Sequence, residues 1–110
     1  MVRVALARFG EEVSPRFCCS PEALVVDWDG KEATELGIVS LGSRPYPARL
    51  ERLAEMSVTW LVCGSFPRER LPDARRCGIR VSCGVSGRLP RSPTQLARFL
   101  ARLTGGGDDS

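Results

Sequence analysis

The chain has no histidine and a single lysine, Lys31, among its 110 residues. Without histidine no Ser-His or Cys-His couple can generate a nucleophile, which excludes hydrolases of that kind. Any transition-metal ligands must come from sulfur or oxygen. Aromatic residues make up only 6% of the chain, which leaves little for base stacking and argues against a nucleic-acid partner. No apolar run approaches the length of a membrane span, so no membrane partner is expected. The first residues, Met1-Val2-Arg3-Val4, pass straight into a strand-like segment, without the longer apolar stretch and small-residue cleavage site of a secretory signal. A cytoplasmic protein with reduced thiols is therefore expected. The odd cysteine count, five, agrees, since a disulfide framework would leave one thiol over.

What is present is arginine and sulfur. Lysine and arginine total 16 against 13 acids, a net charge of +3. The first 60 residues carry 7 basic and 9 acidic groups and the remainder 9 and 4. A positive second half suits an anionic ligand. Four of the five cysteines sit where an apolar run stops or in a turn-rich stretch. Cys63 ends Trp60-Leu61-Val62 and precedes Gly64, and Cys83 closes Ile79-Arg80-Val81-Ser82 and precedes Gly84. Cys18 and Cys19 lie in a turn-rich stretch after the first apolar run. Ligands of open α/β sheets bind at strand ends, and thiolates gathered there hold soft metals or metal-sulfur clusters. The competing reading for each is packing, because free cysteine is among the commonest core residues. Cys77, at a helix end before Gly78, reads as structural. A zinc knuckle needs paired cysteines two to four residues apart, a spacing found nowhere here. A bulkier anionic cluster tolerates irregular ligand placement, with Arg16, Arg68, Arg88 and Arg91 near the same end of the sheet to offset its charge.

Residues 2 to 7 alternate as a strand with one apolar face, and residues 9 to 20, broken by Gly10 and Pro15, read as an ordered loop. Residues 23 to 28 form a second strand, and Asp29-Gly30 offers the two positive φ values of a type I′ turn into an antiparallel third strand over residues 31 to 41. Residues 47 to 56 show an amphipathic helix with Leu50, Leu53 and Ala54 inward and Arg49, Glu51, Arg52 and Glu55 mostly outward. Residues 58 to 62 read as the central strand. A helix over 67 to 77 stops at Gly78, with Pro72 forcing a late start or a kink. A last strand follows at residues 79 to 83. Ser92-Pro93-Thr94-Gln95 then supplies the cap, first-turn proline and capping-box glutamine of a final helix that buries Leu96, Phe99, Leu100 and Leu103. The expected fold is α/β: one domain over residues 1 to 104, a mixed five-stranded sheet in the order β-β-β-α-β-α-β-α with helices on its faces, and a flexible tail over 105 to 110.

Particular residues in this order resemble the dinitrogenase iron-molybdenum cofactor biosynthesis family. They are Val2-Arg3-Val4-Ala5-Leu6-Ala7, Val13-Ser14-Pro15-Arg16-Phe17, Leu24-Val25-Val26-Asp27 followed by Asp29-Gly30, Val62-Cys63-Gly64, and Cys77-Gly78-Ile79-Arg80-Val81. The resemblance extends to about Leu103. It implies a ribonuclease-H-like fold and a domain that carries or helps assemble molybdenum-iron-sulfur clusters, without catalytic turnover. Cys18 stands where family members usually have glycine, and Ser65 where a second glycine is common. Some relatives use histidine for the cluster; this chain would use cysteine. The expected ligand set is Cys18, Cys19, Cys63 and Cys83, with Arg16 beside them. The expected function is binding, storage or delivery of a molybdenum- or iron-containing sulfur cluster or its precursor, with a recipient or assembly protein as partner. The alternative is an interaction module of the same fold without a cluster. A nuclease is disfavoured, because residues 2 to 7 hold none of the acids with which ribonuclease-H enzymes bind two metal ions.

Overall fold

The computed structural model describes residues 1 to 42 and 44 to 107. Its elements are β1 (Val2–Phe9), β2 (Glu12–Val13), β3 (Glu22–Trp28), β4 (Ala33–Ser40), α1 (Tyr46–Glu55), β5 (Trp60–Val62), α2 (Leu71–Arg76), β6 (Arg80–Ser82) and α3 (Pro93–Gly107). Six strands form one open mixed sheet in the order β4-β3-β1-β5-β6, with β2 paired to the end of β1. The β1-β3 and β3-β4 pairs are antiparallel, whereas β5 runs parallel to β1 and β6 parallel to β5. The strand beyond the expected five is β2, inside the stretch read as loop. Two residues are too few for a period-2 pattern to reveal.

The β3-β4 hairpin pairs Glu22 with Ser40 at one end and Trp28 with Ala33 at the other, with a bulge at Val25/Val26. Its turn is not the two-residue type I′ expected, because Gly30 has a positive φ (100°) and Asp29 does not. The Asp29 carboxylate instead accepts the backbone N–H groups of Glu32 at 2.7 Å and Lys31 at 2.8 Å. These bonds favour the charged form and hold its pKa below the usual carboxylate range.

β1 is the middle strand, a place the apolar run at residues 58 to 62 was expected to take. Val4, Ala5, Leu6 and Ala7 are all fully buried, so β1 is covered on both faces. Ala5 and Ala7 join the core shared with Leu50, Leu53 and Ala74 of α1 and α2. Val4 and Leu6 join the opposite core with Leu96 and Leu100 of α3. Alanine reads as neutral in a one-face pattern, yet its small side chain is what lets helices approach a middle strand closely. In α2, Pro72 lies in the first turn, where its missing N–H has no intrahelical partner to lose, and a separate 3-10 turn at Arg68–Arg70 precedes it. The late start is the way the chain accommodates that proline.

α1 begins at Tyr46 and departs from its expected outward face at one position. Arg49 is 3% exposed. Its Nε donates to the Arg44 carbonyl at 2.6 Å and Nη2 to that of Gly42 at 2.8 Å. Nη1 donates to the carbonyls of Ser20 at 2.6 Å and Phe17 at 3.2 Å. Heptad-style reading places any arginine outside; here four carbonyls replace water around it.

On α3, Leu96 and Leu100 are buried, while Phe99 and Leu103 are only partly so. The helical backbone continues to Gly107, past residue 105 where the tail is expected to begin, and residues 108 to 110 lie outside the described residues. The Ser92 Oγ accepts the Gln95 N–H at 3.1 Å, the expected cap. Replacing Ser92 with alanine should lower unfolding stability by about 1 kcal/mol with no change in denaturant m-value, measured by urea titration.

Candidate functional site

Because β1, β5 and β6 run parallel, their carboxyl ends meet at one edge of the molecule, and the segments leaving them are tied together. Gly64 N–H donates to the Ser14 carbonyl at 2.9 Å, and Phe17 N–H to that of Ser65 at 3.2 Å. Gly84 N–H reaches the Gly64 carbonyl at 2.6 Å, Val85 N–H the Cys63 carbonyl at 3.3 Å, and Val13 N–H the Gly87 carbonyl at 2.9 Å. A Cβ on Gly64 would stand 2.5 Å from the Pro15 carbonyl oxygen, so only glycine lets these two backbones meet. The result is one platform built from three chain segments, and it carries Cys18, Cys19, Cys63 and Cys83.

The Cys18-Cys19 pair sits on a 3-10 turn over Phe17–Cys19. On an extended chain adjacent side chains point to opposite sides; three residues per turn reduces that divergence. The two Sγ atoms lie 3.7 Å apart and both residues are exposed. The turn is held from below: Arg49 binds the carbonyls that flank the pair, at Phe17 and Ser20. The buried Ser20 hydroxyl accepts the Arg8 N–H at 3.1 Å and donates to the Glu22 carbonyl at 2.6 Å.

Beneath the turn, Phe17, Tyr46 and Phe66 form a three-ring cluster with centroids 5.6 to 5.8 Å apart. Cys63 lies in the same core with no exposed surface, its Sγ 3.6 Å from the Ser65 carbonyl. Burial, and secondarily the neighbouring Cys83 thiol, pushes its pKa from an ordinary 9.0 to about 12. The Tyr46 phenol is likewise pushed to about 12, by burial first and then by the Cys18 and Cys63 thiols beside it.

Of the residues expected to act as ligands, Cys18, Cys19 and Cys83 are exposed and Cys63 is not. Arg16 is exposed on the same loop. Among the described residues no three of His, Cys, Asp and Glu come close enough to hold one metal ion. The four cysteines therefore share an end of the sheet without closing a four-thiolate cage. Arg91 pairs with Glu11, which removes it from the free charges. Sequence reasoning missed Arg49 and Tyr46. The signal for Tyr46 was its place in the first turn of α1, directly after the Pro45 that opens the helix.

No family model matches the chain, and no curated protein sequence matches it. Solved structures do. The crystal structure of PH0822 has a TM-score of 0.77 at 19% identity, over 96% of this chain and 90% of that one. The apo form of the orange protein from Desulfovibrio gigas has a TM-score of 0.69 at 21% identity, over 96% and 89%. A candidate dinitrogenase from Methanocaldococcus jannaschii has a TM-score of 0.63 at 12% identity, over 94% and 88%. Likenesses at these identities establish a shared fold: a mixed α/β domain with an open sheet. No helix among the described residues is long and apolar enough to cross a membrane.

Two measurements test this geometry. Replacing Arg49 with methionine takes a donor from four carbonyls, those of Phe17 and Ser20 in buried surroundings, and should cost about 2 kcal/mol of unfolding stability, read by urea titration. The Cys63 pKa is higher folded than unfolded, so its contribution is complete below about pH 9 and is lost as pH rises toward 12. Tyr46 acts in the same direction from about pH 10. The urea midpoint should fall through this range, and Cys63→Ala should make the fall shallower while leaving the Tyr46 part in place.

Proposed function

We propose that the chain is a non-enzymatic carrier that binds, stores or delivers a molybdenum- or iron-containing sulfur cluster, or its precursor, at the carboxyl ends of β1, β5 and β6. The observation that carries this reading is the tied platform, where three segments meet and present Cys18, Cys19 and Cys83 to solvent. Exposed thiolates are soft donors suited to such metals. Arg16 on the same loop and Arg68 at the start of the turn before α2 are exposed cations that can offset an anionic cargo. Cys63 supports the platform from the core, as a protonated thiol at neutral pH.

The fold is shared with a candidate dinitrogenase and with the orange protein, solved in its apo form. Both facts favour the family resemblance carried by Val13-Ser14-Pro15-Arg16-Phe17 and the other matched segments. A three-strand antiparallel meander followed by strands parallel to the first is compatible with the ribonuclease-H-like fold that the resemblance implies.

The test is anaerobic purification after expression with iron, molybdate and sulfide supplied, followed by metal and sulfide analysis. Near-stoichiometric metal with sulfide and a visible sulfur-to-metal absorption band are expected. The Cys18→Ser, Cys19→Ser, Cys83→Ser triple variant should lose most of the metal and keep its melting temperature, since all three thiols are exposed. Colourless, metal-free native protein would sink the reading.

A second reading, an interaction module of the same fold, is favoured by one groove of about 460 Å³. Arg88, Arg91, Arg98 and Arg102 line it around Leu89 and Phe99. Arg88, Arg98 and Arg102 form no ion pair among the described residues. An acidic protein surface is the partner this charge would attract, including a recipient of the cluster.

A further inference from the structure

We propose that Cys18 and Cys19 form a two-thiolate chelate for a single tetrahedral, thiophilic metal centre, whose other two coordination positions stay open to ligands from outside the chain. The chelate rests on the reading of the platform as a cluster site and names the part of it that grips metal.

The first support is a length. Two thiolates bound to one tetrahedral metal at the usual metal-sulfur distance of about 2.3 Å lie about 3.8 Å apart. The Cys18 and Cys19 Sγ atoms are 3.7 Å apart. The turn thus holds the pair at the span a tetrahedral metal needs, and little of the binding energy goes into ordering the side chains.

The second support is the mounting. Arg49 holds the carbonyls on both sides of the pair, and Phe17, the first residue of the turn, is fully buried in the three-ring cluster. These contacts restrain the backbone of the turn against opening. The Arg49 guanidinium has no carboxylate partner among the described residues. Its charge, beneath the turn, offsets the negative charge that further sulfide or thiolate ligands would bring to the otherwise neutral centre.

The third support is what is absent nearby. No third donor of the His, Cys, Asp or Glu kind joins the pair among the described residues. Structural zinc sites close with four protein ligands; this one offers two. In a metal-sulfur cluster the remaining positions on a corner metal are filled by the cluster's own sulfides. For a single ion they would be filled by solvent, and in transfer by a recipient's thiolates. A half-open centre releases its metal by ligand exchange, which suits a carrier better than a store. Binding a divalent ion balances as M²⁺ plus two thiols giving the neutral bis-thiolate and two protons.

The experiment uses cadmium(II) as the probe, titrated anaerobically into the reduced full-length chain, read by ultraviolet thiolate-to-metal absorption and by proton release into weak buffer. One tight equivalent with two protons released is expected. Cys18→Ser and Cys19→Ser should each weaken that equivalent by roughly a hundredfold or more, because each converts two linked contacts into one. Cys83→Ser should leave it unchanged. The chelate is overturned if either single variant at the pair binds cadmium as the native chain does, or if Cys83→Ser weakens it equally. Metal and sulfide analysis after cluster loading separates the two ideas: cadmium bound at the pair without cluster retention sinks only the cargo, and cluster retention without tight cadmium binding sinks only the chelate.

Discussion

A buried guanidinium with no carboxylate partner among the described residues is the constraint on which the arrangement of this molecule turns. Removing a cation from water is costly unless its donors are all engaged. Arg49 meets that condition with carbonyls from two different stretches of chain, residues 17 to 20 and residues 42 to 44. The Phe17 carbonyl also accepts the Ser20 N–H at 3.1 Å, so the guanidinium reinforces a turn that the backbone already closes. Helix α1 is thereby locked to the loop that follows β1, although the two are separated by the whole β3-β4 hairpin. The thiol turn, the aromatic cluster and the buried Cys63 all stand on that lock.

The same edge separates cysteines by environment. Cys63 is one residue past β5, where the parallel strands are still covered on both faces, and it behaves as a small apolar residue. Cys83 stands one residue past β6, the edge strand, and solvent reaches it. Equivalent positions in sequence thus acquire opposite chemistry from the strand's rank in the sheet alone. Gly64 serves the arrangement from the other side, by admitting the Pro15 backbone where any side chain would push it away.

Much of this was legible before any coordinates. Alternation and the Asp29-Gly30 pair located the β3-β4 hairpin, since register and turn chemistry are local; the turn type was misread because the Asp29 carboxylate, not a second positive φ, closes it. The Ser92 cap and the first-turn Pro93 located α3, and Gly78 the end of α2, for the same local reason. Cys18, Cys19 and Cys83 could be placed together at one end because parallel strands share a direction. What lay beyond reach was long-range. Nothing within α1 distinguishes Arg49 from the half-buried Arg52; only the carbonyls it meets 29 and 32 residues earlier do. The middle rank of β1 was hidden by Ala5 and Ala7, whose importance appears only once helices cover them. The burial of Cys63 against the exposure of Cys83 depends on strand order, which no single segment encodes.

The Arg49 clamp has a consequence for how such a protein changes over time. It grips peptide carbonyls at positions 17 and 20 and makes no demand on the side chains at 18 and 19. The shape of the loop and the chemistry it displays are thus inherited separately. Glycine, serine or cysteine could occupy those two places on an unaltered scaffold, so a lineage can gain, lose or exchange a cargo by point substitution while its folding remains under the control of residues that never meet the cargo.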